Sequence, residues 1–220
     1  MSVTAGQVEA GQAIYTKSLL STYDWFVLRF SNRVVWKCPS HNILALYNQH
    51  VSNNHLDVGV GTGFFLDRCY FPSTHPRLAL FDLNPNSLEF TARRMARFQP
   101  ETYRMNVLEP IVVEVPRFDS VGMNYLLHCL PGTIQSKAIV FEHLKSLMNH
   151  GGVLFGATLL HEGVKRSWLA KRFMKVYNTK GIFTNTEDNL DGLKQILKQH
   201  FSESSVEVIG SAALFWGKNK

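Results

Sequence analysis

"HLDVGVGTGFFL", residues 55–66, places three glycines within five positions, directly behind an aspartate. A short apolar run enters the stretch and a helix-like run leaves it. Gly59, Gly61 and Gly63 at such a junction permit a tight turn and let backbone amides come close to a ligand. Asp57 stands two residues before the first glycine and adds a negative charge to that approach. The pattern is that of an α/β chain whose first strand delivers a ligand-binding loop.

Outward from this stretch the chain alternates short apolar strands with helical patterns. Strands are expected at His55–Val58, Arg77–Leu83, Thr102–Asn106, Ser120–Asn124, Val153–Leu160, Val206–Ile209 and Ala212–Trp216. Helices are expected at Phe64–Tyr70, Pro85–Arg97 and Gln135–Asn149, the last ending at Gly151–Gly152. Alternation of this kind implies a parallel sheet with helices on both faces. The end, "VEVIGSAALFWG", leaves no room for a crossover helix, so the last two strands are antiparallel neighbours. The expected fold is a doubly wound, seven-stranded, mainly parallel sheet whose last strand is antiparallel. Residues 1–53 read as a helical segment with Tyr23, Trp25, Phe26, Phe30 and Trp36 clustered, either a lid over the carboxyl edge of the sheet or a helix packed on its core. Residues 54–220 form the ligand-binding domain, and the whole chain is one domain.

With 220 residues, 45% hydrophobic and 18% charged, the chain has enough apolar content for an ordinary core and too little charge for disorder. No apolar run reaches the roughly 20 residues that a membrane-spanning helix requires. The start, MSVTAGQVEAGQ, has neither a basic region nor an apolar core, so no secretory signal is read there. Three cysteines, Cys38, Cys69 and Cys129, are widely spaced and lie outside any CxxC pattern. They read as reduced thiols of a cytoplasmic protein rather than a disulfide frame or a metal site.

The loop itself separates two ligand classes. A dinucleotide fingerprint is GxGxxG, which requires a glycine at position 64, where this chain has Phe64. A carboxylate at Asp57 is also a poor neighbour for a pyrophosphate: at about 5 Å and an effective dielectric near 20, each like-charged pair costs about 3 kcal/mol. S-adenosylmethionine carries an ammonium and a sulfonium there, for which a carboxylate is favourable. Asp82, ending the second strand in "LALFDLN", is placed to accept hydrogen bonds from a pair of ribose hydroxyls, a role that an acid here serves for either ligand class. Its alternative role as a helix cap belongs better to Asn84.

These motifs resemble those of the class I S-adenosylmethionine-dependent methyltransferases. "HLDVGVGTG" resembles the family's first motif and "FDLN" its acidic second motif. "RMNVLEP", "FDSVGMNYLLHCLPG" and "LMNHGGVLFGAT" follow in the family's order, so the resemblance spans residues 55–160. It implies that Asp57, Gly59, Gly61, Thr62 and Gly63 hold the methionine part of S-adenosyl-L-methionine. Asp82 then takes the ribose, Leu83 packs on the adenine, and Asn106 and Val107 border it. The family often has an acid where this chain has Asn106. Asn124 lies near the point where the methyl group emerges.

Methyl transfer from a sulfonium is an in-line displacement, so the protein has mainly to align the partners and exclude water. For a hydroxyl acceptor a base assists, and His128, in "NYLLHCLPG", is the best-placed candidate, with Asn124 beside it; the alternative reading is a histidine packed structurally at the start of a loop. Tyr15, Tyr23, Trp25, Tyr125 and His161 are expected to line the acceptor site. Asn124–Tyr125–Leu126–Leu127 lacks the prolines found in enzymes that methylate planar amino groups of adenine or glutamine. The expected function is therefore methylation of a small organic molecule, at oxygen, in secondary metabolism. Nucleic acid is not expected as a partner, and monomer and homodimer both remain open. Two alternatives stand beside this reading. One is an RNA or lipid-surface methyltransferase that uses the basic helix 164–180; the other is a non-catalytic scaffold that only binds the cofactor.

Overall fold

The computed structural model describes residues 24–220, with side chains from residue 30 onward. Tyr15 and Tyr23 lie outside the described residues, as does the side chain of Trp25. The chain enters as a π-helix, Asp24–Val35, and helix α1, Ser40–His50. Strand β1, Asn54–Val58, is followed by α2, Phe64–Arg68, then β2, Arg77–Asp82, and α3, Pro85–Arg94. β3, Glu101–Arg104, β4, Phe118–Asn124, α4, Ala138–Ser146, and β5, Met148–Leu159, complete the alternation. Helices α5, Trp168–Thr179, and α6, Leu190–His200, precede a hairpin of β6, Glu203–Ile209, and β7, Ala212–Lys218.

The seven strands form one sheet in the order β3-β2-β1-β4-β5-β7-β6. All pairings are parallel except those of β7, which runs against both β5 and β6. The chain starts in the middle of the sheet with β1, works outward to β3, and returns to place β4 on the other side of β1. That reversal opens a crevice beyond the carboxyl ends of β1 and β4, where open α/β sheets bind ligands.

Both faces of the sheet are covered, so β2 and β4 are buried along most of their length, whereas the edge strand β3 alternates between half-buried and exposed residues. Along β2, Leu78 and Leu80 join the core that α1 builds with Ile43, Leu46 and Tyr47. Ala79 and Phe81 join the opposite core, with Val140, Phe141 and Leu144 of α4 and Leu193, Ile196 and Leu197 of α6. Thus Ser40–His50, inside the segment read as a lid, packs a face of the sheet.

Several boundaries differ from expectation. The helix expected to reach Asn149 stops at Ser146, and Gly151–Gly152 lie inside β5. There the interval Met148–Val153 on β5 spans only Phe118–Ser120 on β4, so the glycines accommodate a bulge rather than a helix end. α3 ends at Arg94, and Ala96–Phe98 continues as a 3-10 turn. α6 was not foreseen. Its Asn189 side chain caps Gly192 N–H at 2.8 Å. Among the described residues no helix is long and apolar enough to cross a membrane.

The loops beyond β4 and before α6 are joined by a buried ion pair. Lys137 Nζ donates to both Asp188 oxygens at 2.9 and 2.7 Å and to the Thr184 carbonyl at 2.7 Å, and both side chains are fully buried. Removing one partner strands a charge in the interior, so Lys137→Met should cost about 3–5 kcal/mol in urea unfolding. Replacing both, as Lys137→Met with Asp188→Leu, should restore most of that loss; an equally unstable double variant would contradict this account.

Candidate functional site

A cleft partly open to solvent sits at the crevice predicted by the strand order. Gly59, Gly61, Asp82, Leu83, Asn106, Val107 and Tyr125 line it, so residues from four separate stretches of sequence meet there. Gly61 has φ +53, a conformation that side-chain-bearing residues rarely adopt, and a Cβ on it would meet nothing within 4 Å. Its bare backbone therefore faces open space. Gly59 is constrained differently, since a Cβ there would press on Leu126 Cδ1 at 2.9 Å.

α3 fastens the loop from outside. Thr91 Oγ1 donates to the Gly61 carbonyl at 3.0 Å, and Arg94 Nη1 donates to the Thr62 carbonyl at 2.7 Å. Thr62 and Gly63 do not line the cleft; Gly63 heads α2 and lies against Thr91.

Asp82 closes the other wall. Its Oδ1 accepts the Asn84 N–H at 2.8 Å, and its Oδ2 accepts the Gly61 N–H at 3.4 Å. Burial pushes its pKa up to about 6, against the lowering effect of the backbone N–H groups around it. Asn84 takes the capping role, accepting from Asn86 N–H and Ser87 N–H at the start of α3. The Asp82 carboxylate is thus left at the cleft wall as an acceptor for hydroxyl groups.

Asp57 is placed otherwise than the sequence suggests. Alternation along β1 sends His55 and Asp57 to the face covered by α1, and Asp57 is not among the residues lining the cleft. Its Oδ2 accepts from Tyr47 Oη at 2.8 Å and lies 3.4 Å from His55 Nε2. His55 Nδ1 lies 2.8 Å from Ser120 Oγ, which is 2.8 Å from Ser52 Oγ. Ser52 gives its proton to the Asn54 carbonyl. This chain braces the strand end beneath the glycine loop.

Asn124 ends β4. Continuing the register Asp57↔Gly122 by two residues puts it beside Gly59. It does not line the cleft, and its Oδ1 is buried without a hydrogen-bond partner. Tyr125, in the left-handed region at φ +57, donates from its hydroxyl to Asn32 Oδ1 at 3.1 Å and so ties the π-helix to the cleft. Asn106 is engaged locally, its Nδ2 donating to Glu109 and its Oδ1 accepting from Leu108 N–H.

His128 does not line the cleft and is only 3% exposed. Its Nδ1 accepts the Leu159 N–H at 3.3 Å, and its ring sits edge-on to Phe183 at 4.5 Å and Tyr125 at 5.5 Å. Burial, with a smaller push from Lys137, lowers its pKa to about 3. That setting orients the ring and leaves it a poor proton acceptor, unlike the base expected from sequence. His161 also lies outside the lining; its Nδ1 is buried without a partner. Ser87, Met105, Leu126 and Cys129 also line the cleft; the last three lie within "RMNVLEP" and "FDSVGMNYLLHCLPG", but the motifs assign them no role.

Comparison with known proteins agrees with this geometry. Residues 56–154 match the family model described as a methyltransferase domain. The chain is 45% identical over 195 residues to demethylluteothin O-methyltransferase of Streptomyces thioluteus, covering 89% of this chain and 85% of that protein. It is 40% identical to the physcion biosynthesis cluster O-methyltransferase of Aspergillus chevalieri, covering 94% of each. In fold it is similar to the N-methyltransferase NodS of Bradyrhizobium japonicum WM9 bound to S-adenosylhomocysteine. That match has a TM-score of 0.65 at 15% identity, over 96% of this chain and 98% of that one. With the cleft, its acid and its glycine loop in the family's order, the chain belongs to the S-adenosylmethionine-dependent methyltransferases.

Proposed function

We propose that the protein transfers a methyl group to a hydroxyl oxygen of a small, largely apolar molecule in secondary-metabolite assembly. The observation that carries this is the 45% identity, over most of both chains, to an enzyme named for O-methylation, with the physcion-cluster O-methyltransferase beside it. Leu126, Cys129, Leu130 and Pro131 along one wall support an apolar acceptor.

The residues fit S-adenosylmethionine: a bare backbone at Gly61, a carboxylate at Asp82 and the unpartnered Asn124 Oδ1 are complementary to its amino-acid and ribose parts. When bound, the cofactor supplies a methyl on a sulfonium, open to in-line displacement. In this reading Gly59 and Gly61 admit the methionine part, Asp82 accepts from the ribose hydroxyls, and Leu83 and Val107 enclose the adenine. Asn124 Oδ1 accepts from the ammonium. Asp57 acts through the loop it braces. Tyr125 lines the acceptor side, and its bond to Asn32 supports a covering role there for the N-terminal segment. His128 is a positioning residue that holds the Tyr125 ring.

The direct test is incubation with the cofactor and a panel of phenols, enols and amines, with products identified by mass. Methyl ethers and S-adenosylhomocysteine are expected; methylated amines alone would overturn the reading.

Asp82 makes binding pH-dependent. Its raised pKa means that the folded chain holds the proton more tightly than the unfolded chain does, so the stability from this group is present below about pH 4 and lost as pH rises through about 6. The ribose contact needs the ionised form. Cofactor affinity measured by calorimetry should therefore fall by up to tenfold per pH unit below about 6. Asp82→Asn should bind roughly 10–100-fold more weakly, with a flat profile over that range.

His128→Gln separates positioning from proton transfer. Loss of a general base costs about 10²–10⁴-fold in rate. We expect less than about tenfold in kcat and an unshifted pH–rate profile.

A further inference from the structure

The basic stretch after β5 plays no part in the cleft. Residues 163–186 hold Lys165, Arg166, Lys171, Arg172, Lys175 and Lys180, and no Asp or Glu. The whole chain has 23 Lys and Arg against 17 Asp and Glu, a formal charge of +6. This one segment accounts for that charge, and the remainder of the chain is balanced.

α5 divides the segment into two faces. Ala170 and Met174 are buried, and Phe173 and Tyr177 turn inward, their rings 5.9 Å apart, with Tyr177 a further 5.0 Å from Phe183. Outward stand Lys171, Arg172 and Lys175, all exposed, with Trp168 at 71% and Val176 at 42% exposure. Among the described residues these three cations have no acidic partner within ion-pair distance. Trp168 and Val176 thus leave apolar surface in water on the same face as these three cations.

We propose that the outer face of α5 docks the protein on a bilayer surface rich in anionic phospholipid. The cations complement the headgroup charge, and an indole among them suits the headgroup level, where Trp is favoured. A nucleic acid is the poorer fit. Gripping a single strand takes several stacking faces along a groove. Here a convex helix shows one aromatic ring outward and packs the other two into the core. Position argues the same way. β5 ends at Leu159 on the edge of the sheet where the cleft opens, and Ser167 Oγ at the start of α5 donates to the Val35 carbonyl at 3.1 Å. Docking through α5 therefore sets the cleft edge near the lipid, where apolar acceptors concentrate.

Flotation of the full-length protein with vesicles tests this. It should float with phosphatidylcholine–phosphatidylglycerol vesicles at low salt, remain behind with phosphatidylcholine alone, and be released by high salt. Each cation near such a surface contributes about fivefold, so Lys171→Gln/Arg172→Gln/Lys175→Gln should weaken the partition roughly a hundredfold while still binding S-adenosylmethionine. Tryptophan emission should shift to the blue on the vesicles, and Trp168→Phe should abolish the shift. Absence of flotation, equal binding to neutral vesicles, or a triple variant that floats like the parent would overturn the proposal. So would displacement of the protein from vesicles by total RNA, which would assign the face to nucleic acid.

Discussion

The reversal of strand order between β1 and β4 is the constraint on which the site depends. In a parallel sheet, helices cover both faces, and the carboxyl edge stays open only where successive crossovers part company. Here they part on either side of β1, and the glycine loop occupies the gap. A Cβ at Gly61 would meet no atom within 4 Å, so the space directly before that backbone is open.

Around this opening the protein is braced from behind rather than from within. Thr91 and Arg94 hold loop carbonyls from α3, and Tyr47, His55, Ser120 and Ser52 run as one hydrogen-bonded chain beneath Asp57. Those groups are occupied with one another. Of the side chains that line the cleft, Asp82 presents the one carboxylate, while Asn124 Oδ1, unpartnered, is buried just behind the lining. Few polar groups fixed by a rigid surround, with an apolar wall opposite, suit an alignment reaction in which little covalent chemistry is asked of the protein. His128, with its Nδ1 engaged, belongs to the surround.

What the sequence made legible was local. The glycine spacing, Asp82 at a strand end, Asn84 as a cap with proline behind it, and a terminal hairpin too short for a crossover each depend on neighbours a few residues away. What stayed hidden depended on distant partners. Asp57 was read as facing a ligand because its spacing from Gly59 is visible, whereas Tyr47, which claims its Oδ2, arrives on another helix. Gly151–Gly152 resembles a helix end, and only pairing with β4 reveals a bulge. Cys129 and Met105 enter the cleft through the path of their loops, for which no spacing rule exists.

The central claim is that Asp82 and the bare Gly61 backbone together form the cofactor seat. A crystal structure of the protein grown with S-adenosylhomocysteine tests it most directly. The account predicts both ribose hydroxyls within hydrogen-bond distance of the Asp82 carboxylate, with the amino-acid end against Gly59, Gly61 and Asn124. Nucleoside density elsewhere in the molecule, or a ribose turned away from Asp82, would contradict it.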